Sequence, residues 1–252
     1  MDVHALMHEA GHLLKSFYGQ VPKFREKARY ELVTEADLEI ERLMLTPLRA
    51  AFDSDTIISE EGETFDGNRA SRWILDPIDG TAYFVAGVPY FAISLAREVG
   101  GNIVEGYVYN PISEEFYTAT QSGQACLNDE PIAVSACSCI EESLVAFGFS
   151  AHIANIQRYH DEWRPVFDGC RKGLPLIAPS LTLCNVARGR LDAFIDFGCS
   201  MEGQAAASLI LKKAGGALLN YEMSEYDHRT QGIVACTPEL TKALRRVRRP
   251  TC

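Results

Sequence analysis

Residues 73–81, Trp-Ile-Leu-Asp-Pro-Ile-Asp-Gly-Thr, constrain this chain more than any other stretch. An apolar run ends in two carboxylates, Asp76 and Asp79, with Pro77 between them and Gly80-Thr81 after them. A buried strand that stops there delivers hard oxygen ligands to one point. Pro77 fixes its own φ and removes a donor, so the Ile78 carbonyl can point inward as a further oxygen ligand. Gly80 allows close backbone approach and Thr81 offers a hydroxyl. A helix turn opening here would aim unpaired N–H groups at an anion. Upstream, Ile57-Ile58 runs into Ser59-Glu60-Glu61-Gly62. Two short strands that each end in acids predict a divalent-cation site, and cation ligands beside an anion cradle suit a Mg²⁺–phosphate centre. The plainer alternative is a capped turn with solvated acids. Buried carboxylates without a cation or partner are costly, which favours the cation site.

With 252 residues, 47% of them hydrophobic, the chain can build one large domain or two intimately packed ones. No run approaches the roughly 18 apolar residues of a membrane span, so no membrane association is expected. The start, Met1-Asp2-Val3-His4, lacks a signal-peptide pattern, and a cytoplasmic location is expected. A net charge of −10 argues against a general nucleic-acid binder. The basic tail, Lys242 to Arg249, reads as a terminal helix whose cations favour the negative end of its dipole. Eight cysteines without a C-x-x-C pair fit reduced thiols rather than a zinc ribbon.

Periodicity predicts amphipathic helices over about 2–18 and 34–52, the second capped by Thr34 with Asp37 in a capping-box position. Strands follow at Asp55–Ser59, Arg72–Asp76, Phe91–Val99, Ile103–Tyr109 and Glu115–Thr120, with Gly100-Gly101-Asn102 as a hairpin turn. Beyond residue 136 the pattern alternates. Strands are predicted at Ser143–Phe147, Leu191–Ile195, Ala217–Asn220 and Gly232–Cys236. Helices are predicted at Ala154–Arg171, Leu181–Arg188, Gly203–Ala214 and Pro238–Val247. An α+β part over 1–136, carrying the acids, and an α/β part over 137–252 are therefore expected to pack as one unit.

His8-Glu9-Ala10-Gly11-His12 matches the zinc-protease pattern H-E-x-x-H literally. It lies near the chain start, before any sheet that could support a cleft, and no third ligand is specified. Ala10 and Gly11 suit close helix packing instead.

The chain resembles the inositol monophosphatase family of Mg²⁺-dependent, lithium-inhibited phosphatases. The resemblance rests on Leu32-Val33-Thr34-Glu35-Ala36-Asp37, Ser59-Glu60-Glu61-Gly62, Trp73 through Thr81, Val186 through Ala193 and Lys213-Ala214-Gly215-Gly216. It implies a layered αβαβα sandwich of the sugar-phosphatase type, commonly a homodimer. It also implies two or three Mg²⁺ ions and a small phosphorylated metabolite as substrate. By that resemblance Glu60, Asp76 and the Ile78 carbonyl hold a first cation, and Asp76 bridges to a second, also held by Asp79. Gly80 and Thr81 hold phosphate. Thr81 paired with Asp37, together with Glu60, activates water for direct in-line attack. Asp196 touches the substrate's hydroxyls.

Three departures stand out. The family usually carries Trp-Asp at the head of the helix before Ala-Gly-Gly, and that Asp is a second-cation ligand. Those positions are Glu202 and Gly203 here, so Glu202 is the candidate substitute. Ile177-Ala178-Pro179 replaces a common Gly-Ser/Thr-Ala substrate contact, and Ala82-Tyr83 replaces Thr-Asn. Two functions follow: a phosphatase of an inositol, sugar or related monophosphate with a weak second cation, or a catalytically impaired paralogue. The paralogue would bind a metal or phosphometabolite in a regulatory or assembly role.

Overall fold

The fold is described from a computed structural model over residues 1–20, 24–28, 31–62, 64–149 and 153–248. The first part contains α1 (Val3–Phe17), β1 (Phe24–Ala28), β2 (Glu31–Thr34), α2 (Glu35–Ala51), β3 (Asp55–Ser59), β4 (Thr64–Phe65), β5 (Asn68–Asp79) and α3 (Thr81–Val85). It continues with β6 (Ala92–Val99), β7 (Asn102–Asn110), β8 (Glu115–Thr120), β9 (Cys126–Leu127) and β10 (Glu130–Pro131). The second contains β11 (Leu144–Gly148), α4 (Ile153–Arg158), α5 (Arg164–Gly169), β12 (Lys172–Pro175), α6 (Pro179–Ala187), β13 (Ala193–Asp196), α7 (Met201–Lys213), β14 (Ala217–Leu219), β15 (Ile233–Cys236) and α8 (Leu240–Val247).

Side-chain alternation along the strands sorts these elements into layers. In β5, Trp73 and Leu75 face one way, onto a core with Leu6, Leu14, Ile40 and Met44 of α1 and α2. Ile74 faces the other way, into a core with Leu183, Ala206 and Ile210 of α6 and α7. The second sheet repeats the rule. Ala146 and Phe194 face α6 and α7, while Val145, Phe147 and Ile195 face Trp163, Leu240 and Leu244 on the outer helices. The result is the αβαβα sandwich. Its eight-stranded sheet has the order β10-β9-β8-β7-β6-β5-β3-β4, and its five-stranded sheet β12-β11-β13-β15-β14.

Several boundaries differ from expectation for local reasons. Helix 154–171 is interrupted by a π turn at Tyr159–Trp163 before α5, where Pro165 supplies no N–H to the ladder. The ribbon β1–β2 lacks a strand signal because Phe24–Ala28 is mostly charged, and the two-residue strands β4, β9 and β10 have too few residues for a visible period. Helix α6 starts two residues early because Pro179 occupies its first turn, where a missing N–H costs nothing. Gly11 lets α1 press onto the sheet: a Cβ there would stand 2.2 Å from the Tyr109 ring. No helix of the described residues is long and apolar enough to cross a membrane.

Candidate active site

The acids meet because β5 is irregular where they occur. Asp76 pairs with Ser94 of β6 and Asp79 with Ala92, so Pro77 and Ile78 together oppose Ile93. This is a β-bulge, and Pro77, which has no ladder donor to lose, sits inside it. In a regular strand two residues three apart point to opposite faces. The extra residue restores the parity, so Asp76 and Asp79 come to the same side. Parallel pairing of β3 with β5 adds Glu60: Ser59 lies beside Leu75, and Glu60 N donates to Leu75 O at 3.1 Å. Glu60 thereby stands next to Asp76 at the carboxyl ends of two parallel strands.

Asp76 is 3% exposed and shares a carboxyl–carboxyl hydrogen bond with Glu60. Burial first, then the charges of Glu60 and Asp79, raise its pKa well above the ordinary carboxylate range. Asp79 Oδ2 accepts from Ser180 N at 2.8 Å, Ser180 Oγ at 2.5 Å and Leu181 N at 3.4 Å, at the head of α6. Burial outweighs these bonds and pushes its pKa up to about 7. Asp37 closes the capping box of α2, with Oδ2 accepting from Thr34 N at 2.7 Å and Thr34 Oγ1 at 2.6 Å. Burial again leads, with Glu61 and Glu60 adding repulsion, and lifts Asp37 to about 7.

Asp76 Oδ1 is buried and accepts no hydrogen bond among the described residues. The Ile78 carbonyl accepts from Thr81 Oγ1 at 2.9 Å, which leaves its second lone pair open. A set of buried acids that raise one another's pKa is what a divalent cation relieves. Among the described residues no three His, Cys, Asp or Glu side chains close around one point as a finished cage. The donor set is instead an open one of carboxylates and a carbonyl, with two acids bonded to each other and one turned to a helix end. Hard oxygen donors of this kind fit Mg²⁺, which keeps several waters and demands few protein ligands.

Thr81 hydrogen-bonds the Ile78 carbonyl, not Asp37 as expected, because the first turn of α3 puts its hydroxyl back over the bulge. Gly80 caps α3 with φ +92°, and a Cβ there would meet Ala178 Cβ at 2.9 Å and Tyr90 O at 3.0 Å. Only glycine fits. Asp196 ends β13, 4% exposed, with Oδ1 accepting from Gly198 N at 2.7 Å. Burial carries its pKa to about 6. Its parallel partner is Gly148, where a Cβ would collide with the Asp196 carboxylate.

Position 203 faces the acids: a Cβ on Gly203 would lie 3.7 Å from Asp79 Oδ1 and no closer than 3.5 Å to any neighbour. Glu202 precedes it in the first turn of α7, half-buried. The Cys199 thiol is buried and donates to Ser200 O at 3.6 Å. Burial first, then the charges of Asp196, Asp79, Asp76 and Glu202, raises its pKa well above the ordinary thiol range. Three participants were missed in the sequence. Cys199 and Gly148 carry no motif. Ser180 had a usable signal, a serine directly after a helix-starting proline.

A sequence profile of the inositol monophosphatase family matches residues 2–250. An inositol-1-monophosphatase of Rhizobium meliloti is 34% identical over 244 residues, covering 95% of this chain and 91% of that protein. A Nus factor SuhB of Pseudomonas aeruginosa is 34% identical over 226 residues, covering 87% and 83%. Among solved structures, the extragenic suppressor protein suhB of Bartonella henselae matches with a TM-score of 0.92 at 31% identity, covering 97% of this chain and 96% of that one. An IMPase of Thermotoga maritima matches with a TM-score of 0.87 at 29% identity, covering 96% and 93%.

Proposed function

This chain belongs to the inositol monophosphatase family, and on that premise we propose that it is a Mg²⁺-dependent phosphomonoesterase of a small phosphorylated metabolite. The observation that carries the reading is the bulge in β5, which turns Asp76 and Asp79 to one side beside Glu60. Glu60, Asp76 and the Ile78 carbonyl would hold a first Mg²⁺, and Asp76 with Asp79 a second. Bound cations would supply charge that acidifies water and stabilises the attacking and leaving oxygens of the phosphoryl group.

The chain's own groups do the rest. Backbone N–H groups at Gly80 and Thr81 hold the phosphate, since the opening turn of α3 leaves them unpaired. Glu60 takes the proton of the attacking water, and Thr81 orients that water. Asp37 keeps the strand-to-helix corner at Thr34 in place. Asp196 accepts a hydroxyl of the alcohol portion. The protein contributes position and field rather than a covalent intermediate.

Gly203 favours a qualified version of this reading. Its position faces Asp79 without a side chain, so the second cation has one fewer ligand unless Glu202 reaches it. Weak second-cation binding follows, and a Mg²⁺ requirement higher than a three-carboxylate site would show. The same residue supports the second reading, an impaired paralogue that binds a metal or phosphometabolite in a regulatory or assembly role. Two relatives bear names of each kind, an inositol-1-monophosphatase and a Nus factor.

The experiment is phosphate release with and without Mg²⁺ from inositol phosphate, fructose bisphosphate, histidinol phosphate, a nucleotide 3′-phosphate and NADP. Turnover of any one, lost in Asp76→Asn, is the expected result. Silence across the panel with rescue by Gly203→Asp would locate the defect at the second cation. Silence without rescue would replace the phosphatase with the binding role.

A further inference from the structure

The H-E-x-x-H stretch lies on one uninterrupted helix, and the structure extends it into a longer stripe. Helix α1 runs from Val3 to Phe17. His4, His8 and His12 are therefore spaced one turn apart along a single face, and all three are exposed. Two of the rings are not free to wander. His4 sits edge-on to Tyr107 and Phe116, with ring centroids 5.6 and 5.1 Å away. His8 sits edge-on to Tyr109 and Phe116 at 4.9 and 5.2 Å. Both imidazoles thus rest on the one Phe116 ring of β8. The close approach of α1 at Gly11, against Tyr109, holds the helix on that aromatic shelf.

We propose that this stripe is a surface site for a borderline divalent transition cation, of the class Zn²⁺, Ni²⁺ and Cu²⁺, chelated by two imidazoles one helical turn apart. His8 is common to both possible pairs, His4 with His8 and His8 with His12. Imidazole suits these ions, whereas the carboxylate and carbonyl donors around Asp76 suit Mg²⁺. The chain thereby separates two cation chemistries on two faces of the molecule. The remaining coordination positions are left to water, because Glu9, one residue from His8, lies about 100° around the helix. No peptidase activity is implied: the pair stands on an exposed face rather than in a cleft. Ordering of the rings on Phe116 lowers the entropy lost when the chelate closes.

The test is a Ni²⁺ titration of the untagged protein by calorimetry, with excess Mg²⁺ present so that the carboxylate site is occupied. One Ni²⁺ per chain is expected to bind at the stripe. His8→Gln is expected to lose at least the roughly tenfold in affinity that loss of even an outer-shell partner costs. His4→Gln and His12→Gln, made singly, each retain one pair and so retain binding. The double variant His4→Gln/His12→Gln loses it while leaving His8 packed on Tyr109 and Phe116, which guards against a folding defect in His8→Gln. Native circular dichroism with loss of Ni²⁺ in both His8→Gln and the double variant would establish the site. Unchanged Ni²⁺ affinity in either would overturn it.

Discussion

Gly203 is the residue on which the proposed weakness of a second cation turns. Because a Cβ there would be 3.7 Å from Asp79 Oδ1 and in ordinary contact elsewhere, position 203 accepts the first atom of a side chain without displacing a neighbour, and Gly203→Asp would start beside Asp79. Its effect should be read as a Mg²⁺ activation curve shifted to lower concentration; an unmoved or right-shifted curve would speak against the ligand deficit. Gly80 behaves oppositely. Its φ of +92° and the 2.9 Å approach of Ala178 leave no room for a side chain. Gly80→Ala is expected to cost roughly 1–3 kcal/mol in strain alone, measured by urea unfolding. The two glycines look alike in sequence. Only the neighbours of each separate an open position from a filled one.

At the scale of elements, the bulge in β5 explains how two acids three residues apart act as one group. The segment was legible in the sequence because an apolar run, a proline and two acids coincide within nine residues. The partners that complete it were less so. Ser180 reaches Asp79 from about a hundred residues away, and the Gly148–Asp196 contact depends on strand register, which has no local signature. The acids also set a pH dependence. Asp37 and Asp79 rise from 3.8 to about 7, and Asp196 to about 6. A carboxyl raised on folding binds protons more tightly in the native state, so its contribution is full below pH about 4 and is lost as pH climbs towards 7. Burial works against the Glu98 carboxylate, but Arg72 and His228 hold its pKa below the ordinary 4.5, so its stabilising contribution is constant above that pH and is lost only as pH falls below it. Metal-free protein should therefore show a Tm that falls from pH 5 to pH 8 by scanning calorimetry in chelator. Mg²⁺ should restore it at pH 8, and restore it far less in Asp76→Asn. A flat metal-free profile would mean the acids are better solvated than they stand here.

For the whole molecule, the layers were implied by the family resemblance, and the structure supplies their physical basis: β5, β11 and β13 each feed two cores. Long helices and strands were legible from their own apolar periodicity. The π turn at Tyr159–Trp163 was not, because Trp163 continues the apolar period through the break. That residue anchors the outermost layer: it is fully buried, with Arg248 over its ring at 5.4 Å. Trp163→Ala should cost about 3–5 kcal/mol by urea unfolding while leaving Mg²⁺ affinity unchanged, since the first sheet holds the acids. Loss of Mg²⁺ binding in that variant would show that the layers are less independent than their cores suggest.

Anomalous diffraction from a crystal soaked in Mn²⁺ addresses the cation centre most directly. A peak bonded to Glu60, Asp76 and the Ile78 carbonyl, absent from Asp76→Asn crystals, is the predicted result. Density with no such peak at saturating Mn²⁺, and Asp76 still hydrogen-bonded to Glu60, would contradict it.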